Sequence, residues 1–353
     1  MAAEVLGDPA SRAEQWRFCV APMMDWTDRH CRYLHRQLSS RARLYTEMMT
    51  TGTLLHGDAV HHLRFDAAEH PVALQLGGSE PDELARAARM GEQAGYDEIN
   101  LNCGCPSERV QRGAFGACLM AEPHLVATCI RAMQDAVAIP VTVKHRIGID
   151  RSEDYGPVRD FVGTLHNAGC RIFIVHARNA WLRGLSPKEN REVPPLRYEI
   201  VHRLKRDFAA AVFVLNGGLQ SLDDALTHAR ELDGVMLGRA VYHDPFLLTE
   251  VDAHCYQDAR PRVTREGIIE RMSRYLEREY AAGTAPRHVV RHMLGLFQGL
   301  RGARNWRRLL SDAVFLDSAG AGALRLAVAR FAEPGLRGRA AARAESPVSR
   351  CRL

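Results

Sequence analysis

Short apolar runs alternate with segments of helical period along the first two thirds of the chain. Eight such runs occur, at residues 18–23, 42–49, 71–77, 98–103, 141–147, 171–177, 212–217 and 234–238. Each is long enough for one buried strand, and the intervening segments have the spacing of helices that pack on a sheet. In the third interval, for example, a helix is predicted over 80–94, with the pattern from Ser79 to Asp82 at its start and Gly95 at its end. The order indicates parallel βα units and favours a (β/α)8 TIM barrel, with a doubly wound sheet as the main alternative.

The strand pattern stops near residue 255. Beyond it only helical period remains, over 264–283, 287–299 and 303–313, with a further apolar segment near 318–331. The last stretch is rich in Gly, Ala, Ser and Arg and has no apolar period, which is typical of disorder. The chain is therefore predicted to have three parts: a barrel at 17–255, a small all-helical domain at 260–333 and a disordered basic tail at 334–353.

Polar residues or glycines stand where nearly every predicted strand ends. They are Met23–Asp25, Glu47, Gln75, Asn102 with Cys105, Lys144–Arg146, His176, Asn216–Gly218 and Gly238–Arg239. In a TIM barrel the catalytic groups gather at the carboxyl ends of the strands. The recurrence therefore predicts one pocket lined by these groups.

Two of these strand ends predict a phosphate site. Asn216, Gly217 and Gly218 follow the seventh run, and Gly238 and Arg239 follow the eighth. Backbone N–H groups of the last two loops of a barrel commonly bind phosphate, and glycine allows a close approach to the anion. The alternative is that these are ordinary turn glycines.

Lys144 lies in a run that should be buried, where a lysine needs an anionic or electron-rich partner. A flavin ring with its phosphate would provide that partner. Gln75 and His176 offer further hydrogen bonds, and Ala21–Met23, with Pro22 between them, offers a flat apolar edge for stacking. The alternatives are an inert strand end for Gln75 and a satisfied structural histidine for His176.

Cys105 stands in the sequence Asn-Cys-Gly-Cys-Pro, just past the fourth run. Gly104 and Pro106 predict a tight loop that could present its thiol as a nucleophile or a proton donor. The alternative is a small buried apolar residue. Cys103, two positions earlier, is expected to have a setting different from that of Cys105.

Composition narrows the class of protein. The chain has 353 residues, of which 46% are apolar and 25% charged, so a globular fold is expected. The absence of an apolar run of 18 residues or of a signal-like start predicts a cytoplasmic protein without a membrane segment. Nine scattered cysteines without a CxxC pair predict reduced thiols and no metal site. The net charge of +5 is mild, but basic residues predominate after Arg287, which predicts a polyanionic partner.

These segments together resemble the tRNA-dihydrouridine synthases, in particular their A-type branch. The matching blocks include APMMDWTDRHCRYLHR, PVALQLGGSEP, LNCGCPSERVQRGAFGACLM, VTVKHRIGID, VFVLNGG and GVMLGRAVYHDPFLL. The resemblance extends from about residue 17 to about residue 313, and the GCPS block with GAFGACLM is close to diagnostic.

The resemblance implies an FMN-binding barrel, a helical domain that binds tRNA, and reduction of a D-loop uridine, at U20 and U20a, to 5,6-dihydrouridine. NADPH is the implied reductant, with hydride passing from the flavin to uracil C6 and Cys105 protonating C5. The implied FMN contacts are Ala21, Pro22, Met23, Gln75, Lys144, His176, Asn216, Gly217, Gly218, Gly238 and Arg239. The implied tRNA contacts are Asn102, Lys188, Arg191, Arg304 and Arg307, and no protein partner is implied. Cys103 departs from the family pattern, in which valine is common.

Two other functions stay open on the residues alone. A small-molecule flavin oxidoreductase acting on a pyrimidine would share the barrel but would leave residues 260–313 unexplained. An RNA-binding protein with a vestigial flavin site would have no need of Cys105, Lys144 and His176. Trp306, although it stands among arginines, is expected to pack inside the helical domain.

Overall fold

A computed structural model describes residues 13–331 of the chain. It divides into two compact units, one formed by residues up to Tyr242 together with Leu247–Arg262, the other by His243–Phe246 together with the residues from Val263 onward. The predicted basic tail at 334–353 lies outside the described residues. None of the helices within 13–331 is both long and apolar enough to cross a membrane.

Eight parallel strands form the centre of the first unit. They are β1 (Phe18–Val20), β2 (Leu44–Thr50), β3 (Val72–Gly77), β4 (Glu98–Cys103), β5 (Val141–Arg146), β6 (Ile172–His176), β7 (Val212–Asn216) and β8 (Gly234–Leu237). Their order is β1-β8-β7-β6-β5-β4-β3-β2. The two ends of this sheet meet, because Val20 N–H donates to the Arg43 carbonyl and Arg43 N–H donates to the Phe18 carbonyl, both at 2.9 Å. The predicted (β/α)8 barrel is thus confirmed and the doubly wound sheet is excluded.

Helices connect the strands on the outside of the barrel. The α-helices of this unit are Arg29–Leu38, Thr51–His56, Ala59–His62, Pro81–Ala94, Glu108–Arg112, Pro123–Ala136, Gly156–Asn167, Tyr198–Asp207, Leu222–His228, Arg239–His243 and Val251–Tyr256. Gly95 ends its helix as predicted, in the left-handed conformation at φ +98°. The predicted helix over 80–94 is confirmed to within one residue, but the predicted capping pattern that opens at Ser79 was wrong. The helix begins at Pro81, whose fixed φ suits the first helical position, and no side chain caps it.

Side chains on alternate positions of the strands fill the barrel. The buried cluster inside it consists of Trp16, Cys19, Ala21, Tyr45, Ala73, Ile172, Ile174, Val212, Val214 and Met236. The other strand face packs on helices, as where the rings of His145 and Phe161 lie 5.3 Å apart. Because the interior is filled, side chains can reach a ligand only where the strands end.

A buried ion pair stands among the apolar side chains of the barrel. Glu98 is fully buried and pairs with Arg43, with Nη1 to Oε2 at 3.1 Å. The same carboxylate accepts from Trp16 Nε1 at 2.8 Å, from Tyr45 Oη at 3.0 Å and from Thr142 Oγ1 at 2.5 Å. Four donors therefore satisfy one carboxylate, as a buried charge requires.

We expect Glu98→Ala to lower the free energy of unfolding by about 3–5 kcal/mol, because it leaves Arg43 buried without a counter-charge. Urea denaturation of the two proteins would measure the loss. Arg159→Ala, which breaks the exposed Arg159–Asp160 pair, is the control and should leave the unfolding midpoint unchanged. Equal unfolding midpoints for Glu98→Ala and wild type would contradict a stabilising role of Glu98 toward Arg43.

The second unit is helical. Its α-helices are Arg265–Ala281, Pro286–Val290, Ala303–Ser311, Ala313–Ala319 and Ala323–Phe331. Trp306 is fully buried there, packs edge-on against Phe297 and donates from Nε1 to the Met293 carbonyl at 2.8 Å. The expectation that Trp306 packs inside this region is confirmed. The stretch His243–Phe246 groups with these helices because the Arg265 guanidinium lies 3.6 Å from the centre of the Phe246 ring.

Candidate active site

The polar strand ends meet at one end of the barrel, as expected from the sequence. Asn102 on β4 is paired in register with Lys144 on β5, and His176 on β6 with Asn216 on β7. Gln75 on β3 joins them, because its Oε1 accepts from Asn102 Nδ2 at 2.9 Å. Five of the side chains predicted from separate strands therefore lie together at one end of the barrel, where we place the candidate pocket.

Lys144 is the lysine of this site, and its ammonium group is buried. Its ammonium donates to Asn216 Oδ1 at 3.0 Å, and Asn216 in turn donates from Nδ2 to the Met236 carbonyl at 2.8 Å. Burial, with a smaller contribution from Arg146, lowers the pKa of Lys144 to about 7. A negatively charged or electron-rich group beside Nζ would restore the protonated form.

His176 lies in a buried and positively charged environment. Burial lowers its pKa well below the usual value, and the cations Arg146, Lys144, Arg178 and Arg191 lower it further. Four positive side chains therefore act on one residue at the mouth of the barrel. Such a concentration of positive charge favours an anionic ligand.

Arg178 was missed by the sequence analysis, although it follows His176 by only two positions. Its Nη1 bonds the Glu192 carbonyl at 3.2 Å and also the Pro194 carbonyl. Its Nε is buried and makes no hydrogen bond within residues 13–331. A buried donor without a partner lowers stability, so a ligand oxygen at this point would be favourable.

Gly217 and Gly218 form the tight turn after β7. Both have positive φ, +113° and +72°, and the Gly217 carbonyl accepts from Tyr198 Oη at 2.7 Å. A Cβ at Gly217 would lie 2.5 Å from His176 Cδ2, and one at Gly218 would lie 2.4 Å from Leu196 Cδ1. The glycines thus let the chain turn directly against His176. After β8, a Cβ on Gly238 would approach Met23 Sδ to 3.3 Å and Ala21 Cβ to 3.4 Å.

We expect Gly217→Ala to lower the free energy of unfolding by roughly 2–6 kcal/mol, through backbone strain and the clash with His176 together. Gly184→Ala is the matched control, because Gly184 also has a positive φ of +80°, but a Cβ added there would meet no atom within 4 Å. That control should cost only about 1–2 kcal/mol. Urea denaturation would separate the backbone strain from the clash. Equal losses in the free energy of unfolding for the two variants would show that the His176 side chain moves aside without cost.

The loop after β4 presents Cys105. Asn102 Oδ1 accepts from the backbone N–H groups of Gly104 and Cys105, both at 3.0 Å. Arg146 Nε donates to the Gly104 carbonyl at 3.0 Å, and Ala117 N–H donates to the Cys105 carbonyl at 2.9 Å. The loop is therefore fixed on both sides, and the Cys105 thiol remains partly exposed.

Cys103 occupies a different environment. It is fully buried on β4, and burial raises the pKa of its thiol well above the usual value. Among the eight cysteines of residues 13–331, all free thiols, only Cys105 and Cys118 are partly exposed. Within this part of the chain Cys118, rather than Cys103, is therefore the thiol that could compete with Cys105 for a modifying reagent, and Cys351 lies outside the described residues.

The other predicted site residues are exposed or partly exposed. Lys188 and Arg191 follow β6 and flank the buried Asn190, whose Oδ1 accepts from Trp181 N–H at 2.8 Å. Arg239 pairs with Glu192, with Nη1 to Oε1 at 2.5 Å. Arg304 and Arg307 lie in the second unit, on the exposed face of Ala303–Ser311. Pro22 and Met23 are partly exposed just past β1.

Comparison with known proteins gives independent evidence for the family of this chain. The family model described as dihydrouridine synthase matches residues 19–333. Relatives named tRNA-dihydrouridine(20/20a) synthase include those of Pseudomonas putida, 59% identical over 84% of this chain and 88% of its own, and Pseudomonas aeruginosa, 59% identical over 84% and 89%. The Salmonella typhi relative of the same name is 51% identical over 92% of this chain and 98% of its own. The resemblance noted in the sequence is confirmed, and the chain belongs to the dihydrouridine synthase family of enzymes.

Proposed function

We propose that this enzyme is an FMN-containing, NADPH-dependent reductase that converts uridine to 5,6-dihydrouridine in the D-loop of tRNA, at U20 and U20a. The observation that carries the proposal is the near full-length similarity, at 51–59% identity, to relatives named for this activity and these positions. A tRNA substrate also supports a place in the cytoplasm.

The pocket fits FMN. The turn at Gly217 and Gly218, Arg239 after β8 and the unpartnered Nε of Arg178 together offer backbone and guanidinium donors for the phosphate. Lys144, Gln75, His176 and Asn216 offer hydrogen bonds to the flavin ring, and Ala21–Met23 offers an apolar edge. When bound and reduced by NADPH, FMN supplies the hydride that adds to C6 of uracil.

Cys105 supplies the acid. The C5=C6 bond of uracil is conjugated to C4=O, so addition of hydride at C6 leaves an enolate. This enolate must accept a proton at C5. The thiol of Cys105 holds such a proton at Sγ, on a loop that Asn102 and Arg146 fix at the pocket. Protonation of C5 from the face opposite to the hydride completes the reduction, and the thiolate regains its proton from solvent.

Asn102 and four exposed cations are proposed to bind the RNA. After its bonds to Gln75 and to the loop, Asn102 retains one N–H for the target nucleotide. Lys188 and Arg191 on the first unit, and Arg304 and Arg307 on the second, are proposed as backbone contacts. The uridine must leave its stack to reach the pocket, at a cost of a few kcal/mol that these contacts offset.

Deletion of the gene tests the proposal. We expect dihydrouridine to disappear at positions 20 and 20a of tRNA while any at other D-loop positions is kept, and wild-type protein but not Cys105→Ala to restore it. An unchanged profile in a strain without a second such gene would refute the tRNA assignment. Turnover of a free pyrimidine by the purified flavoprotein would then favour the small-molecule reductase.

A further inference from the structure

A chain of hydrogen bonds links the buried ion pair to the Cys105 loop through the interior of the barrel. Thr142 Oγ1 donates to Glu98 Oε1 at 2.5 Å, and Asn100 Nδ2 donates to Thr142 Oγ1 at 2.7 Å. Gln75 Nε2 donates to Asn100 Oδ1 at 2.8 Å, and Asn102 Nδ2 donates to Gln75 Oε1 at 2.9 Å. The last link is Asn102 Oδ1, which accepts from the Gly104 and Cys105 N–H groups.

The direction of this chain is determined by the chemistry of its two ends. The Glu98 carboxylate can only accept, and the backbone N–H groups of the loop can only donate. Each amide between them must therefore turn its oxygen toward the loop and its nitrogen toward Glu98. A reversal at any link would place two donors or two acceptors face to face, so the amide orientations follow from the ends and not from an arbitrary choice.

We infer that Glu98 and Thr142 are positioning residues for Cys105: they orient the Asn102 amide so that its oxygen faces the loop. This inference rests on the proposed function only where the reaction of the reduced protein with tRNA is measured. Glu98, Thr142 and Asn100 are all completely buried, and none of them bonds to the Cys105 loop. Their influence on the thiol must therefore pass through Gln75 and Asn102.

The position of the thiol matters because proton transfer to C5 needs Sγ within hydrogen-bond reach of a defined atom. If the chain is cut, the Asn102 amide can rotate and place its nitrogen against the Gly104 and Cys105 N–H groups. That contact sets donors against donors, so the loop would move or fluctuate. Of the proposed flavin contacts, Gln75 is itself a link of this chain, whereas Lys144, His176 and the glycine turn lie outside it.

Thr142→Val cuts the chain with little change in volume, and Thr142→Ser restores the hydroxyl. Tyr45→Phe is the matched control, because it also removes one donor from Glu98 Oε1 but leaves the chain intact. The flavin-loaded proteins would be compared in three measurements: reduction by NADPH, oxidation of the reduced protein by tRNA as a function of pH, and alkylation of Cys105 by iodoacetamide in a background that carries Cys118→Ala and Cys351→Ala.

We expect Thr142→Val to keep the NADPH step within about twofold, to slow the tRNA step by at least about tenfold, the equivalent of one lost hydrogen bond, and to speed alkylation of Cys105. Thr142→Ser should match wild type in all three, and Tyr45→Phe should lose stability without slowing the tRNA step. A folded Thr142→Val that behaves like Tyr45→Phe would overturn the inference while leaving the proposed function intact.

Two further outcomes are distinguishable. If wild-type protein does not react with tRNA at all, the proposed function fails, and the alkylation rates alone decide the inference: equal rates for the valine and serine variants would overturn it. If Thr142→Val does not fold, Asn100→Leu cuts the next link of the same chain and is judged by the same comparison.

Discussion

Replacing Cys105 by alanine should lower the reduction of tRNA uridine by about 10²–10⁴-fold, the usual contribution of a positioned acid, while leaving FMN bound and reducible by NADPH. The reason is that Cys105 lies past β4 on a loop held by Asn102 and Arg146, and no bond of the flavin pocket passes through its side chain. Stopped-flow measurement of the two half-reactions would separate them. Only the oxidation of the reduced protein by tRNA should slow.

Two other cysteines serve as controls for that experiment. Cys118→Ala removes the other partly exposed thiol of residues 13–331 and should keep both half-reactions. Cys103→Ala removes a buried side chain and should lower stability without stopping the tRNA step. A fully active Cys105→Ala beside an inactive Cys103→Ala would show that the acid had been assigned to the wrong thiol.

Lys144→Met should weaken FMN binding by about 10- to 150-fold, the equivalent of one charge-assisted hydrogen bond, and should change how binding depends on pH. Because the pKa of Lys144 in the free protein is about 7, its side chain is increasingly neutral above that pH. An anionic or electron-rich ligand then has to bind together with a proton. The FMN affinity of the wild type should therefore fall as the pH rises from 7 toward 10, and that of Lys144→Met should not show this fall.

The same pKa gives a second, opposite dependence for stability. Between pH 7 and 10.5 the unfolded chain keeps a proton on Lys144 that the folded chain has released. Stability therefore rises with pH in this window for the wild type relative to Lys144→Met. FMN titrations and urea denaturation of the flavin-free proteins across this range would measure both. A constant difference between the two proteins at every pH would contradict a lowered pKa for Lys144.

Much of the site could be predicted because its residues break the pattern of buried strands. Lys144 and Asn102 stand where a parallel strand would ordinarily be apolar, and a barrel brings all strand ends to one place. The glycine turn after β7 was also predicted. The reason given for glycine there, close approach to a phosphate, was incomplete. At Gly217 the close neighbour is His176, a contact between side chain and backbone that adjacency in sequence does not reveal.

What the sequence could not supply was the pairing of distant residues. The alternation of Glu98, Asn100 and Asn102 along β4 was visible, and three polar side chains on one face of a buried strand are a signal of an internal network. Their side-chain partners are 25 to 82 positions away in the chain, however, so the network emerges only when the barrel closes. The role of Arg178 likewise depends on the fold, since its buried Nε is recognisable as unpartnered only in three dimensions.

The filled interior of the barrel also constrains the order of events. Trp16, Tyr45 and Glu98 are fully buried and occupy the barrel below the pocket, so within residues 13–331 the centre of the barrel offers no passage from the opposite end. Under the proposed function, the nicotinamide and the uracil must both approach from the mouth. The two reactants then use the same entrance, so one must dissociate before the other can bind.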